Sequence, residues 1–210
     1  MKRWSAIAVS WLFVGLMALG CTTDAAAPGK AGADGWITLF DGTERSLAAN
    51  WHPIGDANWK IVDGAVQASA GNGFLVSNAT FSNFQIRAEF WVDGPANSGV
   101  FIRCSDPLKV TATNAYEVNI FDARPDPSYG TGAIVYVAKA STVLKAGGKW
   151  NTYEITAKGA KLTVVLNGVQ TASAEDTKHA QGPFGLQFGN GPKDAPGGAI
   201  KWRKVQIKAL

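Results

Sequence analysis

The chain has 210 residues, 46% of them hydrophobic, and a formal net charge of +4. That length is enough for one domain with a substantial core. Lys2 and Arg3 contribute two of the positive charges and belong to an N-terminal segment set apart below. The surplus on the rest is too small, and too evenly spread, for a nucleic-acid-binding protein.

Lys2 and Arg3 precede an apolar run from Ala6 to Leu19, which ends in Ala18-Leu19-Gly20-Cys21. A basic start, a short apolar stretch and small residues before a cut are the marks of an export signal, and the run is short for a spanning helix. With Cys21 directly after Gly20, the segment is similar to a bacterial lipoprotein signal. That resemblance implies residues 1–20 as signal peptide and a lipidated Cys21 held by the bilayer. The protein would then be exported and anchored in the cell envelope, at the periplasm or outer membrane in a diderm organism. Residues 21–34 read as a flexible tether, small, polar and interrupted by Gly and Pro, and 35–210 as the domain. Cys104 is then unpaired and reads as a buried thiol.

From Trp36 onward nearly everything reads as strand and turn. Runs at 36–40, 58–62, 65–69, 73–77 and 84–92 come first, with Asp63-Gly64 as a two-residue hairpin turn. Phe84, Ile86, Ala88 and Phe90 alternate with Gln85, Arg87 and Glu89, as a half-buried strand requires. Further runs follow at 100–104, 116–121, 132–138, 150–157, 161–166, 169–174, 184–188 and 200–209, with Asn167-Gly168 as a second hairpin turn. Only 48–51 and 174–179 leave room for a helical turn. The pattern predicts an all-β, two-sheet antiparallel sandwich of the jelly-roll kind.

The chemistry concentrates in 97–122. Alternation predicts Val100, Ile102 and Cys104 on one face and Phe101 and Arg103 on the other. Tyr116, Val118 and Ile120 likewise oppose Glu117, Asn119 and Phe121. An arginine, a carboxylate, an amide and two aromatic rings on one face suit a polar ligand such as a sugar; a bland cross-strand Arg103–Glu117 pair is the competing reading. Asp122 either turns into that cleft or caps the following turn. His52 and His179 have no ligand spacing, so no metal site or cofactor is firmly expected. Oxygen donors from Glu117, Asn119 and Asp122 would be compatible with a hard divalent cation such as Ca²⁺, although no known cage is present.

Taken together, WITLFDG at 36–42, NSGVFIR at 97–103, AYEVNIFD at 115–122 and GPFGLQFG at 182–189 carry a pattern that resembles the 3-keto-disaccharide hydrolase domain family, once called domain of unknown function 1080. The resemblance implies a concanavalin-like jelly roll over 35–210. It implies a site built from Arg103, Glu117, Asn119 and Asp122; Phe101 and Phe121, on the same face by alternation, and Asn97 are the further candidates for substrate binding. Asn119 replaces the family's usual glutamine, and Gly189 stands where many members have histidine. The implied substrate is a glycoside oxidised at C3. A base, Glu117 or Asp122, would remove the C2 proton while Arg103 stabilises the oxyanion. A non-catalytic carbohydrate-binding lipoprotein is the alternative on the same fold, and a structural envelope protein with a polar interface is the third reading.

Overall fold

The computed structural model describes residues 31–191 and 197–210. The expected signal segment, Cys21 and most of the expected tether lie outside the described residues. The tether's last residues, 31–34, belong to a turn, in which the Gly35 amide donates to the Gly32 carbonyl and Lys208 Nζ donates to the Asp34 carbonyl.

Thirteen strands, one short α-helix and a single 3-10 turn at Pro127–Tyr129 follow among the described residues. They are β1 (Ile37–Phe40), α1 (Glu44–Asn50), β2 (Trp51–Gly55), β3 (Lys60–Val62), β4 (Ala65–Ala68), β5 (Gly73–Ser77) and β6 (Phe84–Val92). Then come β7 (Asn97–Ile102), β8 (Tyr116–Phe121), β9 (Trp150–Lys158), β10 (Lys161–Leu166), β11 (Val169–Glu175), β12 (Gly185–Phe188) and β13 (Ile200–Ala209). The larger sheet runs β11-β10-β9-β6-β13-β4-β3, with β1 also on β13, and the smaller runs β2-β5-β12-β7-β8. The strand pairs in both sheets are antiparallel. The expected two-sheet antiparallel sandwich is the observed one.

Both hairpin turns have the backbone their sequences require. Asp63, Gly64, Asn167 and Gly168 all have positive φ, between 51° and 81°, so both residues of each two-residue turn are left-handed. Helix α1 starts before the expected turn and is capped by Thr43, whose Oγ1 accepts from the Ser46 amide at 3.1 Å. It buries no residue fully and so leaves no apolar stripe in the sequence. Strand β2 was not expected: Pro53 and Gly55 break its pattern, yet it pairs with β5 at the sheet edge, where a missing amide is tolerated. The stretch 132–138, expected as a strand, makes only isolated bridges to β8 and to itself.

The main core lies between the sheets. Phe90 stacks on Tyr153 at 4.9 Å and tilts against Trp202 at 5.6 Å. Val100, Ile102, Tyr116, Val118 and Ile120 come down on them from the smaller sheet. Tyr153 is fully buried, and its hydroxyl donates to the Asn119 carbonyl at 2.6 Å, one hydrogen bond that ties the sheets together.

The alternation of β7 breaks at Arg103. Its φ is 53°, a left-handed turn uncommon for a non-glycine residue, and it reverses which way the next side chains point. The expectation that Arg103 shares a face with Phe101 and Glu117 is therefore not met. Arg103 is 2% exposed and spans three backbone carbonyls. Its Nε and Nη2 donate to Ser82 O at 2.8 and 2.5 Å, and Nη1 donates to Gly159 O at 2.8 Å and His179 O at 3.2 Å. The guanidinium fork, five donors in a fixed plane, joins the end of β7 to the β9–β10 turn and to the 176–183 loop. Cys104 swings the other way, is buried, and packs with Phe101, Phe74 and Val110.

Arg103→Met is expected to destabilise the fold by about 3 kcal/mol or more, because it leaves buried carbonyls without donors. Arg103→Lys should rescue only part of that, since an ammonium cannot span the same carbonyls. Urea unfolding measures both.

Candidate functional site

The smaller sheet has two buried faces. One meets the core. The other carries the cross-strand pairs Phe101–Glu117, Gly99–Asn119 and Asn97–Phe121. Strand β12 extends this face with Gly185 opposite Phe101, Gln187 opposite Phe74, and Gly189 bridged to Asn97. Phe74 and Phe101 meet edge to face at 5.0 Å and anchor a second apolar cluster, to which Val110 of the 105–114 loop contributes.

Glycines decide what fits here. A Cβ on Gly99 would lie 3.3 Å from the Phe101 ring and 3.5 Å from Glu117 Cγ, so both side chains lean over a residue that has none. A Cβ on Gly189 would lie 3.1 Å from Asn97 Nδ2 and 3.4 Å from Gln187. Asn97 and Gln187 thus crowd position 189.

Glu117 is the chemical centre of this face. Its side chain is 8% exposed, and no donor bonds to its carboxylate among the described residues. Burial pushes its pKa from 4.5 up to about 7, against the smaller opposing effect of the Arg124 charge. Such a carboxyl exchanges its proton near neutrality, where a general base works best. On the same face Asn119 Nδ2 donates to the Tyr129 carbonyl at 2.7 Å, while Asn119 Oδ1 is buried without a donor. Gln187 Oε1 is also buried without a donor. Two amide oxygens without donors, on the strands either side of Gly99, are costly in an interior.

The backbone beyond β8 borders the site. The Val135 amide donates to the Glu117 carbonyl at 2.9 Å, and the Asn119 amide to Ala133 O at 3.0 Å. Tyr136 follows with φ 63° and 70% exposure, 6.3 Å from the Tyr129 ring, which Lys139 Nζ overlies at 5.7 Å. A non-glycine residue held left-handed with its ring in solvent is strain that packing does not explain.

Of the residues expected at the site, Glu117, Asn119, Phe101, Phe121 and Asn97 come together on this face. Arg103 and Asp122 do not. Asp122 lies past the strand end with its carboxylate fully engaged. Thr131 Oγ1 donates to Oδ1 at 2.6 Å, and the Ala146 and Gly147 amides each donate to Oδ2 at 2.9 Å. It fastens two loops, so it neither enters the site nor caps the turn that directly follows it. The oxygen set Glu117, Asn119 and Asp122 consequently does not fit a cation cage, and no cluster of three or more His, Cys, Asp or Glu gathers among the described residues.

Sequence reasoning missed Gln187, Arg124 and the two tyrosines. Gln187 was legible in principle, because Leu186-Gln187-Phe188 puts one polar side chain between two core residues. Arg124, Tyr129 and Tyr136 sit in loops, where no periodicity points to a partner.

Comparison with known proteins agrees with this architecture. No functionally curated protein matches the chain by sequence. A Parabacteroides distasonis protein provisionally described as a glycosyl hydrolase aligns with TM-score 0.66 and 22% identity, over 83% of this chain and 99% of its own. A second protein of that organism, described in the same way, aligns with TM-score 0.70 and 18% identity, over 85% and 95%. The carbohydrate-binding module CBM66 of Bacillus subtilis aligns with TM-score 0.56 and 17% identity, over 87% and 100%. At these identities the likeness is one of fold. The sequence model of the 3-keto-alpha-glucoside-1,2-lyase-like domain matches residues 35–208, and the chain belongs to that family.

Proposed function

We propose that the protein is a carbohydrate-active enzyme that cleaves glycosides oxidised at C3, with Glu117 as general base. The observation that carries this reading is Glu117 itself, a desolvated carboxyl free of protein donors, with a pKa of about 7, on a face with two amide oxygens that lack donors. A carbonyl at C3 acidifies the C2 proton. Glu117 takes that proton, the electron pair forms the C2–C3 enolate, and its collapse expels the C1 substituent as an alkoxide that gains a proton. Addition of water across the resulting C1–C2 double bond then completes a net hydrolysis. Arg124, whose charge acts on Glu117, replaces Arg103 as the cation on the oxyanion side. Asn119, Gln187 and Asn97 hold hydroxyls, and Tyr136 and Tyr129 offer rings for stacking. We further propose that Cys21 carries the lipid anchor, as its sequence context implies.

Carbohydrate binding without turnover is the second reading, favoured by the diversion of Arg103 and Asp122 to structural work. Incubation with 3-keto-glycosides and their unoxidised parents separates the two. Product from the oxidised substrates alone supports the enzyme. Saturable binding of both sets without product supports the module.

If Glu117 is the base, kcat/KM should rise about tenfold per pH unit below 7 and level off above it. Arg124→Gln should move that limb to higher pH, because the charge that favours the carboxylate is gone. Glu117→Gln should lower kcat by about two to four powers of ten. Asp122→Asn should act on stability instead. A pH profile with no limb between 6 and 8, or an active Glu117→Gln variant, excludes Glu117.

The same shift fixes the sign of a stability effect. Folding raises the Glu117 pKa, so the folded state holds the proton more tightly, and wild-type stability falls as pH rises from about 4.5 to about 7. Relative to wild type, Glu117→Gln should gain up to about 3 kcal/mol at pH 8 and little at pH 4. Chemical unfolding at the two pH values checks this.

A further inference from the structure

The outer face of the larger sheet is unlike that of the smaller one. It is open to solvent and carries cations and indoles in register. Trp150 pairs with Trp91 across β9 and β6, Trp91 with Lys201 on β13, Lys201 with Gln67 on β4, and Gln67 with Lys60 on β3. One rung thus reads Trp-Trp-Lys-Gln-Lys across five strands. Lys201 Nζ lies 4.7 Å from the Trp91 ring and the Arg203 guanidinium 4.2 Å from the Trp150 ring. Arg87 lies 4.7 Å from the ring of Trp36.

Sheet topology creates the densest point. One edge of β13 is taken by β6, and the other by β4 at 200–202 and then by β1 at 205–207. Between β4 and β1 no strand covers the bulge at Trp202/Lys204, and Arg203 and Lys204 both turn out to solvent beside a recess of about 500 Å³. The acidic strand residues Glu89 and Glu154 are held by Arg203 at 2.6 Å and Arg87 at 3.7 Å. Lys60, Lys201, Lys204 and Lys208 have no carboxylate partner among the described residues.

The chain enters the domain on this face. Trp36, beneath Arg87, is the last residue before β1, and the preceding turn is fastened by Lys208. Thirty residues precede the described chain, including the apolar run Ala6–Leu19 and Cys21. An anchor at Cys21 would therefore lead to this face, away from Glu117. We infer that the outer face of the larger sheet docks on an anionic phospholipid surface. Lys60, Lys201, Lys204 and Arg203 meet headgroup phosphates, and Trp36, Trp91 and Trp150 sit at the interface, where amphipathic rings are favoured. The Glu117 face would then point away from the bilayer toward soluble substrate. Interface and anchor act together, the anchor holding the chain at the bilayer and the charged face setting how the domain lies on it.

The test is sedimentation of the full chain with phosphatidylcholine vesicles and with vesicles containing one third phosphatidylglycerol, at low and high salt. The expected result is stronger partition into the anionic vesicles, lost at high salt, over the anchor's own partition into phosphatidylcholine. At about fivefold per basic residue, the triple variant Lys201→Glu, Arg203→Glu, Lys204→Glu should lower the anionic partition by at least about a hundredfold and leave the phosphatidylcholine value unchanged. The control triple variant Lys109→Glu, Lys139→Glu, Lys178→Glu, with the same net charge and its changes on loops around the smaller sheet, should keep the excess. Equal partition of wild type into both vesicles overturns the inference, as does equal loss in both triple variants. Melting temperatures of both variants establish that each is folded.

Discussion

Burial of β8 on both faces is the constraint from which the site follows. Every residue from Tyr116 to Phe121 is buried, although the strand lies at the edge of its sheet. One face is closed by the opposite sheet and the other by returning loops, which must satisfy the strand's free backbone edge as they pass. Ala133, Val135 and Gly132 do so, and Asp122, locked to Thr131, Ala146 and Gly147, holds those loops down. A carboxylate in the middle of such a strand loses its water whether or not it has gained a partner. The raised pKa of Glu117 is a consequence of topology before it is a property of chemistry.

How much of this was legible in the sequence depends on how each residue is held. Strand parity is a local property. Phe101, Glu117, Asn119 and Phe121 were placed together correctly because alternation over β7 and β8 is unbroken as far as Ile102. Arg103 was misplaced by one residue of positive φ, a conformation that nothing in the Ile102-Arg103-Cys104 sequence announces. Its cause is tertiary, since three carbonyls from distant loops converge on one guanidinium. The fate of Asp122 was likewise decided by amides 24 and 25 residues further on. The family resemblance points to segments, but a motif cannot tell a side chain that faces a ligand from one that braces the wall behind it.

The two sheets also divide the electrostatics. On the smaller sheet's outer face charge is scarce and desolvated, and Glu117 feels chiefly its own burial. On the larger sheet's outer face charge is abundant and hydrated, so single pairs such as Arg87–Glu154, with both side chains more than a third exposed, add little to stability. A face of that kind gains its meaning from the sum of its charges over an extended partner. The feeble overall surplus of the chain conceals this segregation.

Loss of the second carboxylate from the site bears on which reaction the proposed function requires. Conventional glycoside hydrolysis uses two carboxyl groups on opposite sides of the bond, one acid and one nucleophile or base. With Asp122 saturated by donors, this face offers Glu117 alone. Elimination from a 3-keto sugar asks for less, because the ketone already weakens the C2–H bond and stores the electron pair as an enolate. One base whose pKa lies near neutrality, one cation and a set of amides suffice for that step. On the proposed reading Glu117, Arg124, Asn119 and Gln187 are such a set, and a single desolvated carboxyl is better matched to proton abstraction than to a displacement at C1.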